Sequence, residues 1–186
     1  VLIALIVVVV VVLVGVLWFV SQYNRLVALA NGVDAAWANI DAQLKRRHDL
    51  VPNLVETTKG YAAHERETLD AVVAARNSAV TASGPRAAAA ADGVLAGALR
   101  QLFALSEAYP DLKANQNFLE LQRELAATEN TIAAVRQLYN TAVQDLNTKR
   151  EVFPTNLVAG SKPRFAAREY FEVADDTQRE VPRVQF

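Results

Sequence analysis

Apolar residues fall along this chain in two patterns that meet near Val20. From Val1 to Val20 they are almost continuous, with no charge and no proline; from Leu26 they recur every three or four positions among polar residues. Residues 1–20 at about 1.5 Å each span about 30 Å, the thickness of a bilayer's hydrocarbon core, and predict a transmembrane helix. A secretory signal has a shorter apolar stretch, about 7 to 15 residues, and leads to a small-residue cleavage site. Here Leu17-Trp18-Phe19-Val20 runs into Ser21-Gln22-Tyr23-Asn24-Arg25, with aromatics and an arginine at headgroup level. A retained anchor is expected, continuing without a break into a helical body.

In that body Leu26, Ala30, Val33, Trp37, Ile40 and Leu44 alternate steps of four and three, the spacing of a bundle or coiled-coil seam. The same register makes Arg47, Val51, Leu54 and Thr58 seam positions, so polarity enters the stripe at Arg47 and its neighbour His48. Pro52 admits two readings. Asp49 caps a new helix near Leu50, or one kinked helix continues to Lys59 and ends with Gly60 in the left-handed conformation. The continuous helix is favoured because the seam keeps its phase across Pro52.

Leu69, Val72, Val73, the stem of Arg76 and Val80 predict a second helix from about Ala62 to Thr81, ended by Ser83-Gly84-Pro85. The alanine run Ala87 to Ala91 precedes Asp92-Gly93, and Leu95, Leu99, Leu102, Phe103 and Ser106 mark a third, shorter helix to about Ala108. After the turn at Tyr109-Pro110-Asp111, a fourth helix is carried by Phe118, Leu121, Leu125, Thr128, Ile132, Val135, Tyr139, Ala142 and Leu146. Asn117 with Glu120 offers a capping pair at an internal restart of this helix, and Asp111 an earlier cap. Phe153-Pro154 stops it, and one helical turn is expected near Pro154 to Val158. The only alternating stretch is Glu180 to Phe186, where Pro182 would confine a strand to an edge. The expected fold is all-α: an anchor at 1–20, an elongated antiparallel bundle of about four helices at 21–153, and an extended tail at 154–186.

Composition changes this picture little. The 52% hydrophobic content is inflated by the anchor, and a net charge of -1 gives no global drive toward nucleic acid. With no cysteine, disulfides and thiolate metal sites are excluded. The chain has no methionine and starts at Val1, so a processed or longer N-terminus is expected. His64-Glu65-Arg66-Glu67-Thr68 begins like a helical zinc motif but has threonine where the second histidine belongs. His48 and His64 are the only histidines, and Ser78, Ser83 and Ser161 fall at helix ends or turns. The expectation is a non-enzymatic protein with no catalytic or metal residues, no cofactor and no small-molecule substrate.

Tyr23-Asn24-x-Leu26-Val27, Ala36-Trp37-x-x-Ile40-Asp41-x-Gln43-Leu44-Lys45-Arg46-Arg47-His48-Asp49-Leu50-Val51-Pro52-Asn53-Leu54-Val55 and Gly60-Tyr61-Ala62-x-His64-Glu65 follow one another in this order. With Tyr109-Pro110-Asp111-Leu112, Asn115-x-Asn117-Phe118, Tyr139-Asn140 and the Phe-rich tail, the succession resembles the bacterial LemA family over essentially the whole chain. The resemblance implies a single-pass membrane protein with a helical-bundle body, and it implies no biochemical activity.

Two residue groups carry the functional expectations. Trp37, Lys45, Arg46, Arg47 and His48 form a polar belt on or beside the seam: Arg47 either pairs with a carboxylate on a neighbouring helix or helps recognise a partner helix or an identical subunit. The second group follows from topology, because an up-down-up-down bundle returns its fourth helix toward the membrane. Tyr23, Arg25, Lys149, Arg150, Lys162, Arg164, Phe165, Arg168, Tyr170 and Phe171 are then expected near the lipid, where cations and aromatics are favoured. The leading reading is a membrane-anchored scaffold acting through homo-oligomerisation or another membrane protein. The alternative is a lipid-binding or membrane-shaping adaptor. The basic bias around Arg25 places the body on the cytoplasmic side of a bacterial cell membrane.

Overall fold

The computed structural model describes residues 1–160 and 162–172, and among these it contains helices and no strand. Six α-helices follow in order: α1 Leu2–Lys59, α2 Arg66–Thr81, α3 Pro85–Ser106, α4 Pro110–Lys113, α5 Gln116–Glu151 and α6 Thr155–Ala159, with a 3-10 turn at Pro163–Phe165. The Glu180 to Phe186 stretch lies outside the described residues.

α1 is one helix of 58 residues with Pro52 inside it. A proline in a helix lacks the N–H that would bond to the carbonyl four residues back, here that of His48. That carbonyl is instead reached by the Arg76 Nε–H of α2 at 3.3 Å, and Pro52 itself is exposed, so the break in the ladder is satisfied without ending the helix. The helix ends as the seam predicts at Lys59, but by a turn in which the Thr58 carbonyl accepts the N–H groups of Tyr61 and Ala62. Gly60 takes no positive φ; the one described glycine that does is Gly84 (φ 85°, ψ 163°), between α2 and α3, in a region open to glycine alone.

α1 and α5 each pass through two compact units, one of Val1–Ala38 with Gln137–Glu169, the other of Asn39–Arg136 with the start of Tyr170–Phe186. In the first unit every residue from Val1 to Val20 is exposed, as an anchor's lipid-facing surface must be outside a bilayer. Beyond it Leu26, Ala30 and Val33 of α1 and Tyr139, Val143 and Leu146 of α5 are buried. The buried stripe of α5 runs from Tyr139 through Val143 to Leu146, with Ala142, the expected position, half-buried beside it.

The second unit has the larger core. Val51, Leu54 and Val55 of α1 meet Leu69 and Val72 of α2, Leu95, Leu99 and Leu102 of α3, Leu112 of α4, and Phe118 and Leu125 of α5. Each such side chain contributes roughly 1.5–3 kcal/mol by leaving water. α3 is apolar and long enough to cross a membrane, yet its apolar face is spent on this core.

Three helix starts differ from those the sequence predicts. α2 begins at Arg66 rather than Ala62, because Ala62 is buried in the corner and the Glu65 carboxylate accepts the Tyr109 hydroxyl at 2.8 Å. α3 takes in the whole alanine run from Pro85, a residue suited to a first helical position, buries Ala88 and Ala89, and so is at 22 residues longer than the 16-residue α2 rather than shorter. α5 is capped by Asn115 and not Asn117: the Asn115 Oδ1 accepts the Phe118 N–H at 3.0 Å while its Nδ2 donates to the Tyr61 hydroxyl at 2.9 Å. The expected turn after Pro154 is α6.

Candidate functional site

The polar belt lies in the second unit and is built around a residue the seam forces inward. Arg47 is 3% exposed, and its Nη1 donates to the Asp92 Oδ1 of α3 at 2.9 Å and to the Glu129 Oε2 of α5 at 2.6 Å. One guanidinium nitrogen thus ties α1 to two other helices. Asp92 is as buried as Arg47, whereas Glu129 is 53% exposed. Burial raises the Asp92 pKa above the usual carboxylate value; Arg47 opposes the shift and Glu129 adds to it. The Arg47 Nε is buried with no protein partner.

His48 is buried beside it, its Nε2 likewise without a protein partner. Burial, and then the charges of Arg76 and Arg47, lower its pKa below the ordinary histidine value, so the imidazole is neutral at physiological pH. His64 is exposed in the corner before α2, and among the described residues no cluster of three or more His, Asp or Glu could hold a metal ion. Lys45 and Arg46 are exposed. Trp37 belongs to the first unit, half-buried with its ring 5.7 Å from that of Tyr139.

Of the second residue group, Tyr23, Arg25, Lys149, Arg150, Lys162, Arg164, Phe165 and Arg168 belong to the first unit, and Tyr170 and Phe171 to the second. Tyr23 meets Phe165 edge-on at 5.6 Å, and the Thr155 hydroxyl donates to the Gln22 Oε1 at 3.4 Å, two residues beyond Val20. Phe165 is buried, and its carbonyl accepts the Arg150 Nε–H at 2.9 Å. From there the chain climbs along α1. Arg164 reaches Asn31 at 2.8 Å and Arg168 pairs with Asp34 at 3.0 Å, the latter about 21 Å along the helix axis from Val20.

Asn147 grips the Arg168 backbone with both ends of its amide, accepting its N–H and donating to its carbonyl, each at 3.0 Å. The Tyr139 hydroxyl donates to the Glu169 carbonyl at 2.7 Å, and burial raises its pKa. Arg25 and Lys162 are exposed, Lys149 is half-buried, Tyr170 is exposed and Phe171 is buried. Asn31, Asp34 and Asn147, which receive the tail, carry no periodic signal; the only trace of them in the sequence is polarity beside the seam.

A family model described as the LemA family matches residues 36–186. The chain belongs to the LemA family. The match starts within the seam of α1, after the anchor, whose near-uniform apolar composition distinguishes few families. Protein LemA of Metamycoplasma hominis is 31% identical over 152 residues, which cover 78% of this LemA-family chain and 68% of the relative. Magnetosome protein MamQ 2 of Paramagnetospirillum magneticum is 26% identical over 191 residues, and Magnetosome protein MamQ of Magnetospirillum gryphiswaldense 25% over the same length; each alignment covers 88% of this chain and 70% of the relative. None of these names denotes an enzyme. With the exposed N-terminal apolar helix, membership of the family points to a membrane-anchored protein.

Proposed function

We propose that this LemA-family chain is a membrane-anchored, non-enzymatic scaffold that works by assembling with copies of itself. The observation that carries the reading is a groove of about 470 Å³ between α3 and α5 in the second unit, with Leu99, Phe103 and Leu125 on its floor and Arg100, Gln122 and Glu129 around it. A cleft of this size with an apolar floor and few polar groups accepts a side chain or two of another helix. An anchor gives every copy the same orientation in one plane and raises the effective concentration at which such a contact forms. Lys45 and Arg46, exposed on α1, add a cationic surface to the same unit.

The test is the mass of the protein in detergent, measured beside Ala126→Arg, which places a charge at an exposed position lining the groove. An oligomer that dissociates on this substitution is expected. A wild-type protein that stays monomeric in detergent, and gives no crosslinked dimer in reconstituted membranes, overturns the reading.

A further inference from the structure

We propose that the elbow between α5 and α6 is a membrane-inserting element, with Val152, Phe153 and Leu157 entering the lipid interface beside the anchor. In the first unit α5 runs antiparallel to α1: Trp37 meets Tyr139 and, one end further down, Gln22 meets Thr155. The C-terminus of α5 is thereby delivered to the point where α1 leaves its apolar segment. Past Glu151 the chain turns and enters α6, which buries Thr155, Val158 and Ala159. The opposite side carries Phe153, 76% exposed, Leu157, 67% exposed, and Val152, 50% exposed.

Three large apolar side chains within six residues, all facing out, are unlike the isolated exposed apolar residues of a soluble surface. Their position says what covers them. The Thr155–Gln22 contact lies about 3 Å along the axis from Val20, whereas the polar interface of a bilayer is about 5–7 Å deep on each side. The Thr155–Gln22 contact thus sets the elbow at the level where the apolar segment of α1 ends. Lys149 precedes the elbow and Lys162 follows it in sequence, and Arg25 lies three residues past Gln22 on α1, the arrangement of an interfacial element on an anionic surface. Phe165, by contrast, has its ring taken by Tyr23 and is buried.

The absence of cysteine lets single cysteines be introduced and labelled without removing any other. Phe153→Cys and Leu157→Cys, each carrying an environment-sensitive fluorophore, are reconstituted as full chains at low protein density into vesicles of phosphatidylcholine and phosphatidylglycerol. Val94→Cys, exposed on α3, is the reference. The elbow labels are expected to be quenched by lipid-borne quenchers and shielded from aqueous iodide several-fold more than the reference. Iodide access equal to that of the reference overturns the proposal, as does quenching that appears only when protein density is raised, which marks a contact between copies. In the unlabelled chain, Phe153→Asp with Leu157→Asp should leave the helical circular dichroism unchanged, both sites being exposed, and increase the protease susceptibility of the elbow in vesicles at least tenfold, the factor set by losing two buried apolar side chains. An unchanged cleavage rate in a folded double variant also overturns it. These readouts are taken where copies are dilute, so they stand apart from any failure of self-assembly.

Discussion

Removing the Asp92 carboxylate tests how the second unit is held together. Arg47 and Asp92 have side chains 4% and 7% exposed, and after Asp92→Ala the guanidinium keeps only Glu129, whose carboxylate is half in water. Breaking a buried pair by removing one partner costs about 3–5 kcal/mol, because the remaining charge has been stripped of water and left unmatched. Glu129 at 2.6 Å recovers a part of this, which brings the expected loss to about 2–4 kcal/mol. Arg47→Met should cost less, about 1–3 kcal/mol, because Asp92, already displaced toward its protonated form by burial, can take up a proton and become neutral. Glu129→Gln should cost under about 1 kcal/mol, since that group is half-exposed.

The decisive arm is the pair Arg47→Met with Asp92→Leu. Both charges are then gone and the space is filled by apolar atoms, so the double variant should lie within about 1 kcal/mol of the wild type or above it. Urea unfolding followed by helical circular dichroism, with the anchor held in a micelle and Asp92→Leu alone as the second single variant, gives the four corners of the cycle. If the two single losses add to within about 0.5 kcal/mol of the double, the residues are not coupled and the reasoning fails. The same holds if Asp92→Ala costs no more than an exposed pair such as Lys59 with Glu56.

Two further predictions use other parts of the second unit. Below the ordinary histidine value of 6.5 the unfolded chain binds a proton at His48 that the folded chain, with its lowered pKa, refuses; His48 therefore contributes stability that is full above this value and is lost as pH falls toward the folded pKa. Unfolding measured from about pH 7 down to about pH 5 should show a slope that His48→Gln reduces, and an identical slope in the two proteins would refute it. Asp92, its pKa raised by burial, acts with the opposite sign, so the comparison is made as a difference between the proteins. Asn115→Ala removes the cap of α5 and should cost about 1 kcal/mol, with faster amide exchange at Phe118, whereas Asn117→Ala should stay within about 0.5 kcal/mol; equal effects would mean the cap is misplaced.

Much of the fold was legible because one rule, the four-three step, operates from Leu26 to Thr58. It places Arg47 and Thr58 inside, where hydropathy alone would have put the arginine in solvent. What it cannot say is which residue of which helix stands opposite. Asp92 follows an alanine run with no sign that it faces Arg47, and Asn31, Asp34 and Asn147 look like ordinary surface polarity until the tail lies against them. The capping error has the same root. Asn115 and Asn117 are both good caps locally, and the choice is made by the distant Tyr61, whose hydroxyl takes the Asn115 amide. The exposure of Val152 and Leu157 beside Phe153 carries no periodic signal, and only the folding back of Thr155 onto Gln22 turns them outward at the base of α1.

The costly groups of the second unit share one stretch of α1, and together they explain why it is not simply apolar. A seam of Ile40, Leu44, Val51 and Leu54 is favourable in many alignments, since one turn of sliding exchanges one aliphatic side chain for another. Arg47 does not tolerate this, because sliding α1 by a turn, about 5 Å, withdraws its guanidinium from Asp92 on α3 and Glu129 on α5 at once. Pro52 adds a second constraint: the carbonyl of His48 that it leaves unbonded must find the Arg76 Nε of α2. Three neighbouring helices are thereby registered against α1 by three polar contacts. The apolar double variant of Arg47 and Asp92 is thus expected to keep its stability while losing uniqueness of packing, seen as broadened side-chain resonances beside an unchanged helical signal; sharp, wild-type-like resonances in that variant would show that the register does not depend on the Arg47 pairs.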